Sequence, residues 1–382
     1  GQFVMRKKPP GDLLPSAHMI EREHRIMEAL GPTDVPVPAM RVFCDDPEVI
    51  GTPFFIMDHV AGRVFQDPAL PGMIPTERRA TFRDIAHTLA RLHSVDWMSA
   101  GLGDFGKHSG YAERQVRLWT RQYEAAKTDP IADMDALIEW LPRNQPDDDL
   151  TTIAHGDYRP GNLILHPSEP RVVAVLDWEL STLGHPLCDL AYNCLPYYMP
   201  EEAGALSGLG GHDLKALGIP VEDEFIADYC AASGRNRPEN WHFFVAFSFF
   251  RLASISQGVY ARALNGNASA PDAMDYGARA RRLADLFDRY LLHRPSMLAR
   301  WAAGHDVDGA GTPLPDRSAW QPHLWRLVHA RIGVPSPAER HAERLAEIRA
   351  GDCPADIPTR VSLFGLSTLP GGGPFLELLE AL

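Results

Sequence analysis

Residues 154–162 read AHGDYRPGN, and residues 174–179 read AVLDWE. The first stretch crowds His155, Asp157 and Asn162 into a turn-prone segment, and the second ends an apolar run on Asp177. Two carboxylates and an amide on short elements suit a hard divalent cation, because Mg²⁺ takes oxygen ligands, usually one or two carboxylates together with substrate phosphates. Asp177 and Asn162 suit that task. Asp157, on the same turn, is then available to orient or deprotonate an attacking hydroxyl. The intervening LILHPSEPRVVAVLDW reads as strand, turn and strand, a hairpin that returns Asp177 to the neighbourhood of Asn162.

Composition bounds what surrounds this stretch. A chain of 382 residues can bury large cores and is expected to form two lobes or domains. Its formal net charge of −13 argues against nucleic acid as a partner, yet allows a local basic pocket for one anionic small molecule. Five cysteines, Cys44, Cys188, Cys194, Cys230 and Cys353, are odd in number and form no C-x-x-C pair, which fits buried thiols in a reducing compartment. No uninterrupted apolar run reaches the ~18 residues of a membrane span, and GQFVMRKKPP lacks the plan of a signal peptide. The expectation is a soluble, cytoplasmic chain with a small-molecule substrate and no membrane partner; the oligomeric state is not legible.

Periodicity orders the elements. FVMRK (3–7) alternates and stops at Pro9, Pro10 and Gly11, as a strand does. Residues 16–30 turn helical, with Ile20, Ile26, Met27 and Leu30 on one side. VPVPAMRVFCDD and TPFFIMDHVAG (52–62) read as two strands about a turn at Pro47 to Gly51, completing a small β-rich lobe over 1–62. From 63 to 295 the chain is mainly helical. A helix is expected over 76–95 with Thr76 as cap, a helical region over 111–141 ending near Pro142, and two buried helices over 241–263 and 272–293. The aromatic group Trp241, Phe243, Phe244, Phe247, Phe249 and Phe250 reads as core. Residues 296–382 form an extension of unknown role: a charged helix at 337–349 is compatible with its pattern, and GGG at 371–373, with no following lysine, reads as a turn.

The spacing Asp157-x-x-x-x-Asn162 equals that of a kinase catalytic loop. HGDYRPGN, then VVAVLDWE, then HPLCDLA, resembles the aminoglycoside phosphotransferase and choline kinase superfamily of small-molecule kinases. RKKPPGDLLPSAHMIEREHRIMEAL and LDWELSTLGHPLCDLA are similar, more closely, to the phosphotransferase domains linked to acyl-CoA dehydrogenases. The resemblance covers roughly residues 1–293. It implies an α+β, protein-kinase-like bilobal fold and an ATP- and Mg²⁺-dependent transfer of the γ-phosphoryl group to a hydroxyl. By position it implies Asp157 as catalytic base, Asn162 and Asp177 as metal ligands, and Asp189 as a support for the catalytic loop. Arg6 falls where the family's strand carries a phosphate-contacting lysine, and Glu23 where its ion-pair partner sits. Arg for Lys is a departure, since guanidinium is a planar fork and ammonium a point charge; Lys7 is the alternative, though alternation turns it to the other face. Met57, Asp58, His59 and Val60 match the hinge that meets adenine. The fold also has strands and a glycine-rich turn ahead of FVMRK, so the first lobe reads as shortened at its start.

Other residues divide between chemistry and scaffold. His155 reads as a structural hydrogen-bonding group, Arg159 as an anion-gripping residue or a surface ion pair, and Glu179 as a loop anchor. Tyr111, Arg114 and Trp119 lie where this superfamily varies its acceptor site. Three function classes follow: a small-molecule kinase, with a hydroxyacyl-CoA as one acceptor the resemblance suggests; a metal-dependent phosphoesterase, for which no second His-rich cluster is present; and a silent nucleotide-binding protein of kinase fold.

Overall fold

The computed structural model of the chain describes residues 1–8, 19–201, 207–238, 240–267 and 272–292. The chain divides into two compact units, Gly1–Leu286 and Phe287–Leu382. The readings at 337–349, Cys353 and 371–373 lie outside the described residues, as does the start of the helix expected from Ser16.

The first unit begins with strand β1 (Phe3–Lys7), helix α1 (Ile20–Leu30), strand β2 (Met40–Cys44), a one-turn helix α2 (Pro47–Ile50) and strand β3 (Phe54–Asp58). The strands form an antiparallel sheet in the order β1-β3-β2, with Arg6 opposite Phe55 and Phe3 opposite Asp58. Phe54 and Phe55 are buried beside the α1 stripe of Ile20, Ile26, Met27 and Leu30, which is what holds helix to sheet. Alternation along β1 leaves Arg6 half-buried and Lys7 exposed. The turn expected at Pro47 to Gly51 contains α2, whose first turn is capped by Asp46 accepting from Glu48 N at 2.9 Å.

Beyond the hinge the chain is mainly helical: α3 (Pro75–Ser94), α4 (Tyr111–Ala126) and α5 (Ala132–Arg143) come first. Thr76 is not the cap of α3. Ile74 holds that place without a side-chain bond, and Pro75 occupies the first helical position, where its missing N–H is no loss. The region read as one helical stretch over 111–141 is two helices, parted at Lys127–Ile131 where Pro130 cannot donate to a helix. Strands β4 (Thr152–Ala154), β5 (Leu163–Leu165), β6 (Val172–Val175) and β7 (Thr182–Gly184) make two antiparallel pairs, β4 with β7 and β5 with β6. Helices α6 (Pro186–Cys194), α7 (Leu214–Leu217), α8 (Glu222–Ser233), α9 (Trp241–Leu264) and α10 (Tyr276–Leu292) follow.

Helix α9 is the core of this lobe. Its 24 residues are long and apolar enough to cross a membrane by length and mean composition, although His242, Arg251, Gln257 and Arg262 interrupt the apolar run. Here 72% of its most apolar window is buried, against α4, α5 and α6. Ser248 and Ser254 donate back to Phe244 O and Phe250 O at 2.7 Å, so its hydroxyls cost the helix no unsatisfied donor. The β-rich sheet with α1, the hinge and the helical lobe make up the bilobal, protein-kinase-like α+β fold.

Candidate active site

Strand β4 delivers the chain to His155, which is fully buried. Gly156 adopts φ 86°, and a Cβ there would lie 2.7 Å from Leu180 O, so the turn requires glycine. The buried Asp189 carboxylate, from α6, accepts His155 N at 2.6 Å and Gly156 N at 2.8 Å, and His93 Nε2 stands 3.3 Å from it. Burial raises the Asp189 carboxyl, but the His93 hydrogen bond and the charges of His93 and His155 outweigh it and hold the group below its ordinary value. The His155 ring is fixed at both nitrogens: Nδ1 accepts from Asp157 N at 3.1 Å, so Nε2 carries the proton and donates to Leu176 O at 2.9 Å. His155 thus ties the loop bearing Asp157 to the strand that leads into Asp177.

Asp157 and Asn162 touch. Asn162 Nδ2 donates to Asp157 Oδ2 at 2.6 Å and to Asp157 O at 2.9 Å. Arg159 Nε lies 3.4 Å from the same carboxylate oxygen. The Tyr192 hydroxyl is pushed up by burial and, second, by the facing Asp157 charge. Across the β5–β6 hairpin, Leu163 pairs with Val175 and Leu176 N donates to Asn162 O at 2.9 Å, which sets Asp177 beside Asn162. Asp177 itself has φ 66°, a left-handed conformation that Asp tolerates better than most residues and that costs on the order of 1 kcal/mol.

These residues fit a cation. Asp177 Oδ1 is buried and accepts no hydrogen bond, with only the Arg6 guanidinium, at 3.5 Å, to balance its charge. The amide nitrogen of Asn162 is committed to Asp157, so its carbonyl oxygen is the atom that would face a metal. Arg6 stands opposite: its guanidinium grips Glu23 in a fork, Nη2 to Oε1 at 2.8 Å and Nε to Oε2 at 2.6 Å, with Asp177 Oδ1 and Glu179 Oε2 each 3.5 Å from Nη2. Burial pushes the Glu23 carboxyl up to about 7, against the opposing pull of Arg6.

Two cavities border the elements that carry this group. One of about 500 Å³ is lined by Met57, Asp58, His59 and Val60 and floored by Ile164 and Leu176. The backbone N–H groups of Asp58 and His59 are bonded to Ala39 O and Gln2 O, both at 3.0 Å, and the Asp58 side chain is held by Arg41. The second, of about 450 Å³, is lined by Asp157, Arg159, Tyr192, Arg251 and Arg279 among others. Of the acceptor candidates read from the sequence, Arg159 lines it. Tyr111 and Arg114 do not. Tyr111 is a buried packing residue whose ring would meet a Cβ on Gly184 at 2.7 Å, because α4 turns that face to the β4–β7 pair. Trp119 stands behind the cavity wall, its ring centroid 5.5 Å from the Arg251 guanidinium. Arg251, Arg279 and Tyr192 escaped the sequence reading, although a lone arginine inside the apolar run FSFFRLAS is a signal that could have found the first.

Comparison with known proteins fits this geometry. The model of the Phosphotransferase enzyme family matches residues 1–244, and the chain belongs to that family. It is 49% identical over 285 residues to the mouse acyl-CoA dehydrogenase family member 10, covering 75% of this chain and 27% of that protein. With the rat acyl-CoA dehydrogenase family member 11 it shares 48% identity over 274 residues, 71% of this chain and 35% of the relative. It therefore spans about a quarter to a third of the length of these curated relatives. A crystal structure from Ralstonia eutropha, provisionally described as an aminoglycoside phosphotransferase, is 46% identical with a TM-score of 0.69, covering 74% of this chain and 84% of that one. Separately, residues 264–382 match the model of the RecC N-terminal domain, and 103 residues are 44% identical to the RecBCD enzyme subunit RecC of Mycobacterium tuberculosis, covering 27% of this chain and 9% of that protein. By family and by likeness to the Ralstonia structure, the chain is a small-molecule phosphotransferase with a hydroxyl acceptor.

Proposed function

We propose that the chain is an ATP- and Mg²⁺-dependent kinase that phosphorylates the hydroxyl of a hydroxyacyl-CoA. The observation that carries this reading is the place of Asn162 with respect to the two cavities: Leu176 lines the first, Asp157 lines the second, and Asn162 is hydrogen-bonded to both residues. A nucleotide base in the hinge cavity would have its phosphates directed toward Asp177 and Arg6, and an acceptor in the second cavity would meet them at Asp157. Mg²⁺, when bound by Asp177 and Asn162, neutralises phosphate charge. Asp157, positioned by Asn162 and by His155 through its backbone, orients the acceptor hydroxyl and takes its proton. Arg6, braced by Glu23, meets the phosphates as a planar fork in the place of an ammonium. The acyl-CoA part of the reading rests on the names of the mammalian relatives.

A phosphoesterase reading fares worse, because among the described residues no group of three or more His, Cys, Asp or Glu converges as a metal site. Nucleotide consumption by the full chain, screened against hydroxyacyl-CoAs, aminoglycosides, choline and sugars, tests the proposal. Phosphorylated hydroxyacyl-CoA and ADP are the expected products. Hydrolysis of phosphate esters without nucleotide would sink it.

A further inference from the structure

Outside the residues already given a role, the acceptor cavity carries an unusual feature on α9. Arg251 is half-buried, and its guanidinium lies near two rings, 5.5 Å from the centroid of Trp119 and 5.5 Å from that of Tyr192. Among the described residues no carboxylate pairs with it and no hydrogen bond is made to it. The other two arginines of the cavity are partly committed. Arg159 leans on Asp157 at 3.4 Å, while Arg279 stacks on Tyr276 at 3.9 Å and stands 3.7 Å from Asp272. Among the described residues, Asp157 is the only carboxylate lining this cavity, against three guanidinium groups, in a chain whose net charge is −13. A half-buried guanidinium without a carboxylate partner keeps its fork free for an anion, and the two nearby rings favour the cation where it stands.

Resting on the kinase reading for the position of the reacting hydroxyl, we infer that Arg251, set beside Trp119 and Tyr192, is the anion-binding residue of the acceptor site, and that the acceptor carries a phosphate or carboxylate beside its hydroxyl. Tyr192 makes the link to chemistry, because it faces Asp157 and lies beside Arg251, so one ring separates the group that activates the hydroxyl from the group that grips the anion. The same wall repels polycationic acceptors such as aminoglycosides. A phosphate of coenzyme A and the carboxylate of a free hydroxy acid would both satisfy the fork.

Titration separates these sources without turnover. Inorganic phosphate, free coenzyme A and 3-hydroxybutyrate are each titrated calorimetrically into the full chain. Wild type is expected to bind at least one, and which one binds identifies the source. Arg251→Gln is expected to weaken that binding about tenfold or more, the scale of one charge-assisted bond, and to raise acceptor KM by a similar factor with a much smaller change in kcat. Arg251→Lys, which keeps the charge and loses the fork, falls between the two. If Arg251→Gln does not fold, as read by its melting curve, Arg251→Lys carries the test: weaker binding than wild type is expected, and unchanged affinity overturns the inference. Unchanged affinity in the variants, no binding of any probe by wild type, or tighter binding of an aminoglycoside than of the anions overturns the inference. A wild type that consumes no nucleotide defeats the kinase reading, while the titrations still decide the subsite.

Discussion

Asp157 and Asp177 are both aspartates in one cleft, yet their surroundings differ in kind. Asp157 is spoken for by Asn162, Arg159 and the facing Tyr192, whereas the inner oxygen of Asp177 accepts no hydrogen bond. A carboxylate already hydrogen-bonded and open to the acceptor cavity suits proton transfer; one that accepts no hydrogen bond suits a cation. Asp177→Asn is therefore expected to abolish transfer and weaken Mg²⁺-nucleotide binding while the fold persists, since Asn accepts the same left-handed backbone. Asp157→Ala should cut the transfer rate by about 100-fold or more, the scale of a lost general base, with little change in nucleotide affinity. Titration of Mg²⁺-ATP into both variants decides the matter: equal loss of binding in the two would make Asp157 a metal ligand and defeat the division.

Contacts between elements set the geometry that these residues need. Arg63 N and Leu165 N exchange bonds at 2.8 Å with each other's carbonyl, joining the hinge to the catalytic hairpin. That approach depends on Gly62, where a Cβ would lie 2.2 Å from Leu165 O and 2.3 Å from Ile164 Cγ2. Gly62→Ala is expected to destabilise the chain by about 1–3 kcal/mol and to shift the hinge away from β5, lowering the melting temperature and weakening nucleotide binding together. An unaltered melting curve would show that the bridge yields without cost. The pair between β1 and α1 sets a pH dependence. With Glu23 raised from an ordinary 4.5 to about 7, the folded state keeps a proton that the unfolded chain has released, so its contribution to stability is fully present below 4.5 and is lost as pH rises through 7. Arg6, by contrast, needs the carboxylate. Transfer is expected to increase with pH through about 7 as the pair forms, and Glu23→Gln should remove that limb of the pH–rate profile. A profile unchanged by the substitution would assign the limb to another group.

At the scale of the whole molecule, the residues lining both cavities lie within the first compact unit, up to Arg279. The phosphotransferase family model matches residues 1–244, and the model of the RecC N-terminal domain matches residues 264–382. A chain ending at residue 292 is accordingly expected to keep nucleotide binding and transfer within about twofold of the full chain, because domains with their own cores fold and act alone. Loss of nucleotide binding on that truncation would make the second unit part of the enzyme.

Two kinds of information separate here. The sequence by itself determined the strands and helix of the first lobe, the two-lobed class and the loop holding Asp157 and Asn162, because hydrophobic period, turn chemistry and a fixed Asp-to-Asn interval act over short distances along the chain. It also carried Arg6 and Glu23 to their elements, and alternation along β1 already favoured Arg6 over Lys7. Helix boundaries were less legible: Pro75 and Pro130 mark the start of α3 and the break before α5 by removing donors, and a cap motif at Thr76 competed with the first. The acceptor cavity was decided by tertiary structure. Its wall draws on the catalytic loop, α6, α9 and α10, and nothing in local pattern says that Arg251 will stand beside Trp119 and Tyr192, residues distant in sequence. Tyr111 shows the converse: a polar aromatic at the start of a helix reads as a surface candidate, and only the packing of α4 on the β4–β7 pair buries it, because burial depends on what the rest of the chain brings to that face.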